Sequence, residues 1–158
     1  MEGDRRARVK TPRGKSPRIG NVGWGIMMYK IENTAYGLKL TFSGVIKKEE
    51  MVQWAGELRI ACGRAGSSFG VLIDMRDIKP LAPDVQEEMV KAQAFIKAAG
   101  LKRSCVILGS KILAMQFERL AKESGVFSYE RYVDVGSNPD SETVALDWVV
   151  KGADAIRR

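Results

Sequence analysis

Two short runs without a polar residue, Phe69–Ile73 and Cys105–Leu108, constrain the fold of this chain more than any other feature. Neither run is long enough to span a bilayer, and both suit a strand buried on its two faces. A strand buried on both faces needs layers packed above and below it. Each run is followed by a stretch of helical period, and strand–helix alternation places such strands in an α/β sheet. After the first run, Pro83 suits a first helical turn, with Asp84, Glu87 and Glu88 complementing the dipole. Val85, Met89, Ala92 and Ile96 mark the buried stripe, and Gly100 is a natural stop. After the second run, Ser110 is a good N-cap, Leu113, Phe117, Leu120 and Ala121 form the stripe, and Gly125 closes it.

The remaining punctuation completes the order. Tyr29–Asn33 and Leu38–Phe42 alternate apolar and polar residues around Gly37, which predicts two strands joined by a tight turn. Met51, Trp54, Ala55, Leu58 and Ala61 recur at helical spacing until Gly63 and Gly66. Tyr129–Val135 predicts a last strand. Asn138 and Pro139 then open a final helix carrying Val144, Ala145, Trp148 and Val149, which Gly152 ends. The predicted fold is a single mixed β-sheet with helices packed on it, in the order β-β-α-β-α-β-α-β-α.

At 158 residues the chain suits one domain, placed at residues 28–152, with a short C-terminal tail at 153–158. Residues 1–27 are rich in Arg, Lys, Gly, Pro and Ser, and predict a disordered basic tail. Met27 and Met28 offer a second reading, in which the protein starts there and the tail is a misplaced start. The net charge of +7 belongs mostly to this segment: residues 1–20 hold seven basic and two acidic residues, against 19 and 17 in the remainder. The domain is near balance, so no specific nucleic acid partner is expected. With no apolar signal core, a cytoplasmic location is expected, with peripheral membrane association as an alternative.

The sequence contains no histidine, which removes Ser-His-Asp and Cys-His catalysis and His-containing metal sites. Two cysteines cannot build a four-ligand zinc site, and Cys62 and Cys105 read as buried thiols. No cofactor motif and no metal site is expected. Carboxylate chemistry stays open through Asp74, Asp77 and Asp84, with Lys79 or Lys111 assisting, although no spacing singles out a catalytic pair.

Ligands of open α/β sheets gather beyond the carboxyl ends of strands. That directs attention to Asp74, Arg76, Asp77 and Lys79, read as a charged loop after the first buried run, and to Ser110-Lys111 after the second. The charged set is read either as a partner grip or as a solvated loop; Ser110-Lys111 is read either as an anion site or as a plain N-cap. Met51, Trp54, Met89 and Phe117, on separate helices, are read either as core or as the lining of an adaptable apolar pocket.

Gly44 with Lys48-Glu49-Glu50-Met51, Leu72-Ile73-Asp74-Met75-Arg76-Asp77, Val106-Ile107-Leu108-Gly109-Ser110-Lys111, and Tyr132-Val133-Asp134 before an Ala145–Val149 helix occur in this order. In this order and spacing the chain resembles SpoIIAA-like proteins of the STAS/CRAL-TRIO-like group, over about residues 28–151. The resemblance implies a STAS-like fold and a non-enzymatic regulatory or protein-binding module. Anti-sigma-factor antagonists of this type are switched by phosphorylating a serine at the start of the helix after the third strand. Here that position reads Pro80-Leu81-Ala82-Pro83-Asp84, with no serine, and Asp84 is either a fixed-charge mimic or ordinary dipole complementation. The CRAL-TRIO side of the resemblance implies instead a module for an apolar small molecule or a membrane surface. A protein partner is expected first, and a homodimer is a further arrangement compatible with the sequence.

Overall fold

The computed structural model describes residues 18–22 and 25–157, with side chains described from Tyr29 onward. Its elements run β1 (Arg18–Val22), β2 (Gly25–Asn33), β3 (Gly37–Gly44), α1 (Lys48–Ala65), β4 (Phe69–Ile78), α2 (Pro83–Ala99), β5 (Leu101–Leu108), α3 (Lys111–Ser124), a 3₁₀ turn (Phe127–Tyr129), β6 (Glu130–Asp134) and α4 (Ser141–Leu146), which continues as a π turn (Asp147–Lys151). The strands form one mixed sheet in chain order. β1, β2 and β3 pair antiparallel, and β3 through β6 pair parallel. This is the α/β mixed sheet expected from the alternation of runs and stripes.

The parallel strands advance in one direction across the sheet. Right-handed crossovers therefore lay α1, α2 and α3 on the same face. Trp54 and Leu58 of α1, Met89 of α2 and Phe117 of α3 close this core over Leu40, Phe42, Val71 and Val106. The Phe42 and Trp54 rings meet edge to face at 4.9 Å. The second face is covered only in part. Ala145 and Val149 of the last helix pack on Leu72, Cys105, Ile107 and Val133. A Cβ on Gly70 would stand 2.7 Å from Val149, so the glycine makes room for this helix. No helix among the described residues is long and apolar enough to cross a membrane.

Three expectations need correction. Residues 18–22 and 25–27, read from composition as tail, lie in β1 and β2; residues 1–17 lie outside the described residues. β4 does not end at Ile73 but continues to Ile78, because β3 and β5 flank it and keep its backbone paired. Asn138 does not cap the last helix. Asp140 takes that place, while the buried Asn138 side chain donates to the Asp134 and Arg157 carbonyls at 3.1 and 3.2 Å and accepts from the Arg157 N–H at 2.9 Å. It ties the C-terminal segment to the end of β6.

Candidate functional site

Beyond Ile73, β4 changes from a continuous apolar run to alternation through Arg76, before a register shift against β3 leaves Asp77 exposed and Ile78 buried. Met75 stays in the core, while Asp74 and Arg76 turn to the opposite face. Asp74 accepts from the Arg76 Nε at 3.0 Å and from the Arg76 N–H at 3.2 Å. Arg76 also lies 3.7 Å from Glu142 of α4, which Lys39 of β3 approaches at 3.3 Å. Two cations and two carboxylates thus form a neutral, half-exposed network that ties the last helix to the sheet. The other expected members do not join it. Asp77, Lys79 and Asp84 are exposed and make no ion pair among the described residues, and Asp84 lies in the first turn of α2. The candidate partner grip is therefore a strand-borne clamp, not a charged loop.

Ser110 is an N-cap: its Oγ accepts from the Leu113 N–H at 3.2 Å. The apolar set is core. Met51, Trp54, Met89 and Phe117 are all at most 3% exposed. Trp54, Met89 and Phe117 border an internal cavity of about 20 Å³, and Met51 does not reach it. That volume takes one water molecule and no lipid chain. Its polar lining is formed by Trp54, Gln93, Ser104 and Glu130, and the Trp54 indole N–H and Gln93 Oε1 have no partner among the described residues.

Glu130, at the start of β6, is 4% exposed. Ser104 Oγ donates to one of its carboxylate oxygens at 2.7 Å, and the Tyr132 hydroxyl to the other at 3.0 Å. Burial outweighs both hydrogen bonds and pushes the Glu130 carboxyl up to about 7. The Tyr132 phenol is pushed up as well, first by burial and then by the neighbouring carboxylate. Burial pushes the Cys62 thiol up to about 11 and raises that of Cys105 further, so both thiols are protonated at neutral pH. Among the described residues, no group of three metal-ligating side chains occurs.

An open concavity lies elsewhere. A cleft of about 530 Å³ separates α3 from β6. One wall is the helix face Lys111, Ala114, Met115 and Glu118, at spacings of three and four residues; the other is β6, with Phe127 at one end and Arg157 at the other. Two large apolar side chains of its lining stand in solvent: Met115 is 69% exposed and Phe127 40%. Phe127 stacks on Tyr132 with centroids 6.4 Å apart, and Lys122 Nζ lies 4.8 Å over its ring. Arg131 is held by Asp154 at 2.9 Å and lies 4.0 Å over the Trp148 ring.

Of the expected site residues only Lys111 lines this cleft. The rest of it escaped sequence reading because α3 was read for its buried stripe alone. The available signal was Ala114 and Met115, apolar residues lying off that stripe.

No family model matches the sequence, and no curated protein matches it. Among solved structures, the chain is similar to an uncharacterised protein of the DUF3478 family from Shewanella loihica PV-4, which has a SpoIIAA-like fold. The two share 17% identity and superpose with a TM-score of 0.54, over 82% of this chain and 98% of that one. The SpoIIAA-like fold is thereby shown.

Proposed function

We propose that this chain is a non-enzymatic, protein-binding regulatory module that engages its partner through the α3–β6 cleft. One observation carries this reading: two exposed apolar side chains, Met115 and Phe127, line an open cleft of about 530 Å³, whereas the interior retains space for about one water. An apolar-ligand module of the CRAL-TRIO-like kind needs the opposite distribution. Regulation by phosphorylation at the start of α2 has no part in this reading, since Asp84 stands where that switch requires a serine. Asp74 serves the clamp on the last helix and has no catalytic part.

A photo-crosslinking amino acid placed at Met115, at Phe127 or at Asp77 tests this in cells expressing the chain. Adducts to a protein from Met115 and Phe127, and none from Asp77, are expected. Adducts from Asp77 alone would return the site to the end of β4. An apolar molecule co-purifying at equal stoichiometry in native mass spectrometry, with no protein adduct, would favour the ligand module. A substrate turned over by the protein but not by a folded Asp74→Asn variant would make it an enzyme.

A further inference from the structure

We infer that the internal cavity is a binding site for one ordered water molecule, which accepts from the Trp54 indole N–H and donates to Gln93 Oε1. The two side chains come from different helices, α1 and α2, and border the same cavity. Trp54 is 2% and Gln93 6% exposed, so bulk water serves neither polar atom, and neither has a partner among the described residues. Buried polar groups left in that state are rare, and ordered water is the usual partner where a small polar cavity adjoins them. Turning away toward another acceptor would cost Trp54 its edge-to-face contact with Phe42 at 4.9 Å. Leu40, Val71, Ile73, Val106 and Phe117 form part of the remaining lining, and their side chains carry no hydrogen-bonding group.

Size and chemistry select water among small molecules. The volume of about 20 Å³ has room for about one. The indole N–H only donates and Gln93 Oε1 only accepts, so the occupant must offer an acceptor and a donor at once. An anion would satisfy the first and oppose the second, a cation the reverse, and either would be a buried charge. Water accepts and donates together, and its second proton is left for Ser104 Oγ or the Glu130 carboxylate, the other polar members of the lining. Ser104 Oγ gives its own proton to Glu130 at 2.7 Å and keeps the capacity to accept. The water thereby extends the Tyr132–Glu130–Ser104 hydrogen bonds toward α1 and α2. Glu130 lines both the cavity and the cleft, so this polar chain runs from the surface into the core.

Magnetisation transfer from water to the assigned Trp54 indole N–H, in the isotope-labelled full chain, tests this directly. A cross-peak is expected whose sign is opposite in laboratory-frame and rotating-frame experiments, the signature of a long-lived bound water. It should persist in Ser104→Ala and in Glu130→Gln, which remove exchangeable protons of the lining that could relay it. An absent cross-peak, one of the same sign in both experiments, as proton exchange gives, or one lost with those protons would overturn the inference. Unfolding equilibria supply an independent reading. Gln93→Met keeps the length of the side chain and removes the acceptor. It is expected to raise the unfolding constant about tenfold in the parent and much less in a Trp54→Phe background, because a bridge already broken is not lost twice. A Gln93→Met variant more stable than the parent would overturn the inference, since relief of a lone buried acceptor has that sign. So would an equal effect in the two backgrounds. Should Trp54→Phe fail to fold, the cross-peak and the sign of the Gln93→Met effect still decide.

Discussion

Glu130 links the stability of the fold to pH. Its carboxyl is buried, accepts two hydrogen bonds and is raised from an ordinary value of 4.5 to about 7. The folded state therefore holds its proton more tightly than the unfolded chain does. The stability this gives is fully present below about 4.5 and is lost as pH rises through about 7, up to about 3 kcal/mol in all. In Glu130→Gln the thermal midpoint is expected to lose most of its decline between these two pH values, and at pH above 7 the variant should be at least as stable as the parent. Thermal unfolding followed across this range checks both statements; a wild-type midpoint flat across it would show that the carboxyl titrates normally. Gly37 stands at the other extreme, with backbone rather than charge at stake. Its φ of +146° disfavours a side chain, and an added Cβ would collide with the Gly70 carbonyl oxygen of the adjacent strand. Gly37→Ala is expected to cost more than about 2 kcal/mol in denaturant unfolding.

At the scale of elements, the two sheet faces are held by different physics. α1 is attached by apolar burial, with Met51 and Leu58 at 0% exposure. Leu58→Ala is expected to cost about 2–5 kcal/mol, since a cavity opens that the α1–sheet contact cannot close. The last helix is attached by a smaller apolar contact and by the Lys39–Glu142–Arg76–Asp74 network, whose members are partly solvated. Glu142→Gln is therefore expected to cost under about 1 kcal/mol in the same measurement. A loss comparable to that of Leu58→Ala would mean that the network, rather than Ala145 and Val149, fixes this helix. The extension of β4 past Ile73 was itself legible at this scale. Ile73, Asp74, Met75 and Arg76 alternate in and out of the core, and the arrival of charge marked a change of period and not the end of the strand.

For the whole molecule, the described buried core begins at Tyr29 and ends at Val149. A chain beginning at Gly25 lacks β1 yet retains every described core residue. It is expected to unfold in a single cooperative transition, with a midpoint lowered by a few degrees at most, as a terminal edge strand contributes few buried contacts. Loss of cooperativity would mean that β1 is needed to complete the sheet.

Periodicity, glycine and proline were enough to determine from sequence the class of the fold and most of its elements. Pro83, Gly100, Ser110 and Gly125 act within a turn of their own position, and the buried runs Phe69–Ile73 and Cys105–Leu108 need no partner to be recognised as strands. Which surface is left open is not local information. Met51 and Met115 are the same residue type on similar helices, yet one is 0% and the other 69% exposed. The difference arises because Met51 lies on the α1 face packed against the sheet, whereas Met115 lies off the buried stripe of α3, on the face that lines the cleft beside β6. Only the tertiary structure decided that Ala114 and Met115, off the α3 stripe, line a cleft beside β6, and that Asp74 and Arg76 of β4 join the network that reaches the last helix.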